Sequence, residues 1–286
     1  MLGAAMLLST FQLGPGLGPA REKAFWKLGM TRWEDVATWQ REVKGQQGAF
    51  QALRRAIEEA TAAFDARDVS RLADLLPSGE HWRLFEAFGG DAAYLDIETS
   101  DDVVGFAGIS AIGVLDRHGP HLLLAGRDLE RFPELAREWS MLVTFNGLTF
   151  DVPILRRAFP DWEPPRAHVD LRHVLGRLGH RGALKQLEER LGLHLERPEH
   201  LRPLNDTGAS ALFRRGREGD REALRRFAEY NLYDAVGLRT LMAFAYNGRL
   251  EGLASRWPAL RATTRPLAVP GRGDVLYDVS KILLSL

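Results

Sequence analysis

Four carboxylates stand where an acid is costly. Asp96 and Glu98 end or interrupt the apolar run Ala92–Leu95 in YLDIETS, Asp151 follows the β-type run Met141–Phe145 and an Asn-Gly turn, and Asp234 falls within the helical pattern EYNLYDAVGL. Desolvating a carboxylate is expensive unless something positive meets it, and no basic residue is embedded beside these four in the sequence. A shared pair of divalent cations is the economical counter-charge. Two hard cations held by carboxylates imply phosphoryl chemistry.

The spacings sharpen this reading. Asp96 and Glu98 are two apart on a strand, so both point to one face while Leu95 and Ile97 point to the other. In TFNGLTFD, Asp151 lies at or near a helix start, where an isolated Asp would serve as a cap. Phe145 and Phe150 flank the turn as core residues or as platforms for a base, and Asn146 shapes it, with a terminal nucleotide as a second role. Along EALRRFAEYNLYDAVGL, the positions Leu224, Phe227, Ala228, Ala235 and Leu238 define an apolar face. Asp234 sits at its edge with Tyr230 one turn earlier; Tyr233 points about 100° away. Asp170, in HVDLR, is a fifth acid that either caps the next helix or assists the site. His168, His173 and His180 lack ligand-type pairing and read as surface or capping residues.

The elements that must position these groups follow from residue 91. AAYLDIE, GISAIGVLD and HLLLAG read as strands, 128–138 as helical, MLVTFN as a strand, 151–158 as a short helix, and HVDLR as a strand. Helical segments follow at 181–192 and 220–246. The pattern predicts an α/β fold, a mixed sheet flanked by helices. Residues 41–88 read as packing helices. Before them, Gly14, Gly16 and Gly18 lead into a helix from Pro19 to Gly29, and Thr31 caps a second with Glu34 three residues on. This small N-terminal helical region is either one helix-hairpin-helix-like unit, with amides near Gly16 and Gly18 facing a phosphate, or a docked structural element. The expected boundaries are 1–40, 41–88, 89–247, and a wrapping C-terminal extension at 248–286.

Lys+Arg and Asp+Glu both number 38 in 286 residues, so any nucleic-acid footprint must be local. Between Arg166 and Arg226 there are 14 basic residues against 9 acidic ones. Cysteine is absent, which excludes disulfides, thiolate metal sites and cysteine nucleophiles. The apolar start MLGAAMLLSTFQ lacks a basic n-region and is too short to span a bilayer. A cytoplasmic location without membrane association is expected.

Taken in order, D-I-E-T, N-x4-D and Y-x3-D look like the three exonuclease motifs of the DEDD superfamily. Tyr230, four residues before Asp234, matches the DEDDy subgroup; Glu229 occupies the position where the DEDDh subgroup has histidine. More closely, HWRLFEAF…YLDIET, TFNGLTFDVPILRR, HVDLR and YNLYDAVGL resemble the YprB-type ribonuclease H-like family over about residues 80–246. One departure is Ser100-Asp101-Asp102, where that family turns through Thr-Gly. The resemblance implies a ribonuclease H-like fold and a 3′–5′ exonuclease acting on a single strand or 3′ end of DNA or RNA with two Mg²⁺ or Mn²⁺ ions. By the same resemblance, Asp96, Glu98 and Asp234 hold one ion, Asp96 and Asp151 the other, and Tyr230 orients the attacking water. Thr99, Asn146 and Phe150 are the candidate substrate contacts, and by the resemblance Glu98 also meets the terminal 3′-hydroxyl. A catalytically inactive nucleic-acid-binding accessory protein and an endonuclease of the same fold are the alternatives.

Overall fold

A computed structural model describes residues 6–39, 47–193, 197–269, 279 and 282–283. Its helices are α1 (Pro19–Lys27), α2 (Trp33–Thr38), α3 (Gln47–Asp65), α4 (Val69–Leu75), α5 (Phe85–Phe88), α6 (Phe132–Leu135), α7 (Asp151–Ala158), α8 (Leu171–Arg177), α9 (Leu184–Arg190), α10 (Asp206–Arg217) and α11 (Arg221–Ala254). Five strands, β1 (Ala92–Thr99), β2 (Ile109–Asp116), β3 (Gly119–Leu124), β4 (Met141–Thr144) and β5 (Ala167–Asp170), form one sheet in the order β3-β2-β1-β4-β5. β2 pairs antiparallel with β1 and β3, whereas β4 and β5 run parallel to β1. The mixed α/β sheet is the architecture expected from a run of strands followed by strands alternating with helices.

Alternation along β1 decides which side carries chemistry. Ala93, Leu95 and Ile97 enter one hydrophobic cluster with Ile112, Val114, Leu142 and the aromatic group Phe132, Trp139, Phe159 and Trp162. Ala92 and Tyr94 enter the cluster on the opposite face, and by strand periodicity Asp96 and Glu98 follow them to that side. The ladder to β2 shifts register between Glu98 and Thr99. Such a shift bends the strand end and re-aims its side chains.

Several elements differ from expectation. α11 continues to Ala254 instead of ending at 246. Gly248 does not break it, because a Cβ there would lie 2.8 Å from Leu178 Cδ1, so glycine permits close packing while Leu250 and Ala254 keep the last turns buried. Helix α10 was not anticipated: Gly208 and Gly216 interrupt its pattern, yet Asn205 caps it by accepting from the Gly208 amide at 2.9 Å. The 128–138 segment is helical but divides into a 3₁₀ turn, α6 and a second 3₁₀ turn. α2 starts one residue later than Thr31 would place it, because Asp35, not Glu34, accepts from the Thr31 and Arg32 amides at 2.7 and 2.8 Å.

The N-terminal region is tied to the rest of the chain. Met6, Phe11, Phe25, Trp26 and Trp33 belong to the same cluster as Tyr94, Met141 and Leu238. Arg83, buried, donates to both oxygens of Glu22 at 2.8 and 3.0 Å and to Glu80 at 2.8 Å.

Candidate active site

The four acids meet where the C-terminal half of β1, the start of α7 and the middle of α11 converge. Asp96, Glu98 and Asp234 each offer an oxygen within 4.8 Å of the others. Asp151, only 3% exposed, joins them from the first residue of α7 and accepts the Ile97 amide at 3.1 Å. A helix N-terminus suits a carboxylate there. Burial, and then the Asp234 and Asp151 charges, push Asp96 well above the usual carboxylate range. Burial and Asp234 lift Glu98 to about 8, and burial lifts Asp151 to about 7. Crowded, desolvated carboxylates shifted in this direction lack sufficient positive charge, and their all-oxygen donor set fits a hard divalent cation.

Protein cations do approach one of them, from distant parts of the sequence. Lys185 donates to Asp234 Oδ2 at 3.3 Å and to the Tyr230 hydroxyl, with its ammonium 3.8 Å from the centroid of that ring. Arg197, buried, pairs with Asp234 Oδ1 and, at 3.3 Å, with Glu188. Gly237 lets α11 approach this pair, since a Cβ there would lie 2.8 Å from Glu188 Oε1. Burial lifts Glu188 to about 7 despite Arg197. Lys185 and Arg197 are 49 and 37 residues from Asp234, so no local pattern announces them.

Tyr230 is fully buried and donates to Asp206 at 3.1 Å. Burial, reinforced by Asp234 and Glu98, raises its pKa, so the phenol stays neutral. Asn231, one residue on, was also missed. Its Nδ2 donates to Asp96 Oδ2 at 2.9 Å and to the Asp96 carbonyl at 3.2 Å, holding the central acid from α11. It lies three residues before Asp234, on a helix whose inward face was already recognised.

The Asn146–Phe150 turn forms one lip. Asn146 adopts φ +68°, and a Cβ on Gly147 would overlap the Thr144 side chain, so Asn-Gly chemistry is required. Asp170 accepts the Asn146 and Leu148 amides at 2.9 and 3.1 Å and caps α8 through the Arg172 amide at 3.0 Å. Its oxygens therefore anchor backbone. Asn146 Oδ1 accepts from Thr149 and Arg172. Phe150 is 41% exposed, whereas Phe145 packs partly against the core. His168 corrects the surface reading: it bonds Thr144 Oγ1 at 2.8 Å, and burial depresses it to about 4, leaving it neutral. His173 is exposed, and His180 packs against the Phe244 ring.

A cleft of about 1550 Å³ gathers Asp96, Glu98, Thr99, Asp151 and Asp234 with Asn146 and Phe150. Gly16 and Gly18 do not line it; Gly18 caps α1, and the Gly16 carbonyl accepts from Arg21.

This sheet and its acidic cleft define a ribonuclease H-like α/β protein. Residues 93–246, more than half of the chain, match the RNase_H_2 family model of the RNase H superfamily, and the chain belongs to that family. No curated protein and no solved structure matches it. Membership points to a nucleic-acid hydrolase whose fold generally works with divalent metals. No helix among the described residues is long and apolar enough to cross a membrane.

Proposed function

We propose that this protein is a metal-dependent 3′–5′ exonuclease of the DEDDy type, within the YprB-type group, hydrolysing phosphodiester bonds of DNA or RNA. The observation that carries the reading is the convergence of Asp96, Glu98 and Asp234 within 4.8 Å, with Asp151 alongside and Tyr230 one turn from Asp234. Asp96, Glu98 and Asp234 would hold one Mg²⁺ or Mn²⁺, and Asp96 with Asp151 a second. Bound, such ions acidify water and stabilise the attacking and leaving oxygens. Asn231 fixes the Asp96 carboxylate. Tyr230, as a neutral phenol held by Asp206 and Lys185, orients the attacking water instead of deprotonating it. Lys185 supplies positive charge at the rim of the acid cluster, where a phosphate must come to rest. Thr99, Asn146 and Phe150 face the terminal nucleotide, Phe150 by stacking.

Digestion of 3′-labelled and 5′-labelled single strands tests the proposal. Mononucleotides released from the 3′ end in Mg²⁺ or Mn²⁺, abolished in Asp96→Asn and weakened in Tyr230→Phe, are expected. Binding without cleavage on any substrate would favour an inactive accessory protein, and cutting past a blocked 3′ end would favour an endonuclease.

A further inference from the structure

The cleft is electrically divided. Its acidic end is described above; its other wall is built from α8, the loop after it and the C-terminal half of α11, and presents Arg172, Arg177, Arg181 and Arg249. Carboxylates do not neutralise this wall. Glu80 alone serves Arg177 at 3.1 Å, Arg249 at 3.3 Å and Arg83 at 2.8 Å, and Glu22 compensates only Arg83. Arg172 bonds the neutral Asn146 amide at 2.6 Å. The Arg181 side chain is exposed and makes no hydrogen bond or ion pair among the described residues. Arg249 lies over the Trp82 ring, 5.2 Å from its centroid, with its Nε buried and unpartnered. Guanidiniums gathered in one concave wall with so little counter-charge are matched by a row of phosphates.

We propose that this wall is a backbone track for the nucleotides that precede the 3′-terminal one on a single strand, with Arg177 and Arg181 each contacting a phosphate. The proposal rests on the nuclease reading for the polarity of the strand. Three features support it. A volume of about 1550 Å³ exceeds the roughly 300–1,000 Å³ of small-molecule pockets, so the cleft accommodates more than one nucleotide. Arg172 joins the wall directly to the Asn146 turn beside the acids. Leu148 and Phe150, 47% and 41% exposed at that turn, offer faces to unpaired bases. A single strand suits the apolar lip and the basic wall together, and would meet the acids only through the cations they hold.

The test is the salt dependence of binding of a fluorescein-labelled ten-nucleotide oligothymidylate, in protein carrying Asp96→Asn so that the strand stays intact. For single strands the slope of log K against log[salt] is about 0.7 per phosphate contact. Adding Arg177→Gln and Arg181→Gln together is expected to reduce that slope by about 1.4, and Arg181→Gln alone by about 0.7. Arg261→Gln, outside the cleft and paired with Glu251, is expected to leave it unchanged. The single Arg181 variant removes no bond within the protein, so it keeps the test valid if the double variant folds poorly. An unchanged slope in the Arg181 variant, or an equal loss in the Arg261 variant, overturns the track. Because binding is read and not cleavage, this result is independent of whether the protein cuts the strand.

Discussion

At the scale of single residues, Asn231 is the most informative group outside the acids, because it touches the one carboxylate that both proposed ions share. Removing a partner that orients a metal ligand typically costs 10–100-fold in metal affinity. Asn231→Ala is therefore expected to weaken Mn²⁺ binding by about that factor in a calorimetric titration while the fold persists. The raised carboxyls make a second expectation. Glu98 moves from 4.5 to about 8 and Asp151 from 3.8 to about 7; each binds its proton more tightly folded than unfolded. Metal-free protein should therefore lose stability as pH rises from about 4.5 to 8, and saturating Mg²⁺ or Mn²⁺, binding only the folded form, should offset the loss. Thermal melts across that range in chelator and in metal measure both; a metal-free melting temperature that rises with pH there would contradict it. The acids were legible because Asp96 and Glu98 sit two residues apart along β1, Asp234 sits four after Tyr230 along α11, and Asp151 follows a strand and an Asn-Gly turn. Lys185, Arg197 and Asp206 were not, because their contacts to Asp234 and Tyr230 exist only after α9 and α10 fold back on α11.

Among elements, the decisive contact is α11 against the sheet. A Cβ on Gly113 of β2 would lie 2.7 Å from Asn231 Oδ1 and 2.9 Å from the Asn231 carbonyl. Gly113 pairs across the ladder with Asp96. Glycine at this position lets the helix backbone come close enough for its side chains to reach the β1 acids. Gly113→Ala should push α11 outward, costing about 1–3 kcal/mol as overpacking does, and should also weaken Mn²⁺ binding because Asn231 and Asp234 move together. Urea unfolding and the metal titration read the two effects separately. In the sequence, GISAIGVLD was legible as a strand, but its glycine gave no sign of a partner more than a hundred residues away. The strands and α11 were readable from their periodicities; α10 was not, since glycines blur its amphipathic face.

For the molecule as a whole, the question is whether the N-terminal region is an independent module or part of the same folding unit. Its apolar residues share a cluster with the sheet, and Arg83 binds Glu22 of α1 and Glu80 through nearly inaccessible side chains. Removing one partner from such a buried network leaves the others uncompensated, typically costing about 3–5 kcal/mol. Arg83→Leu leaves the buried Glu22 without its guanidinium, while Glu80 keeps Arg177 and Arg249, so it should lower global stability by that amount in urea. Trp26 and Trp33 report on the N-terminal region and Trp139 and Trp162 on the far side of the sheet. If the region folds with the domain, single-tryptophan versions should unfold in one coincident transition that shifts as a whole in Arg83→Leu. An early transition at Trp26 and Trp33 alone would instead make the region a separable appendage. Replacing Glu22 by glutamine in the Arg83→Leu background should recover part of the loss, because the cost comes from stranded charge more than from the missing guanidinium.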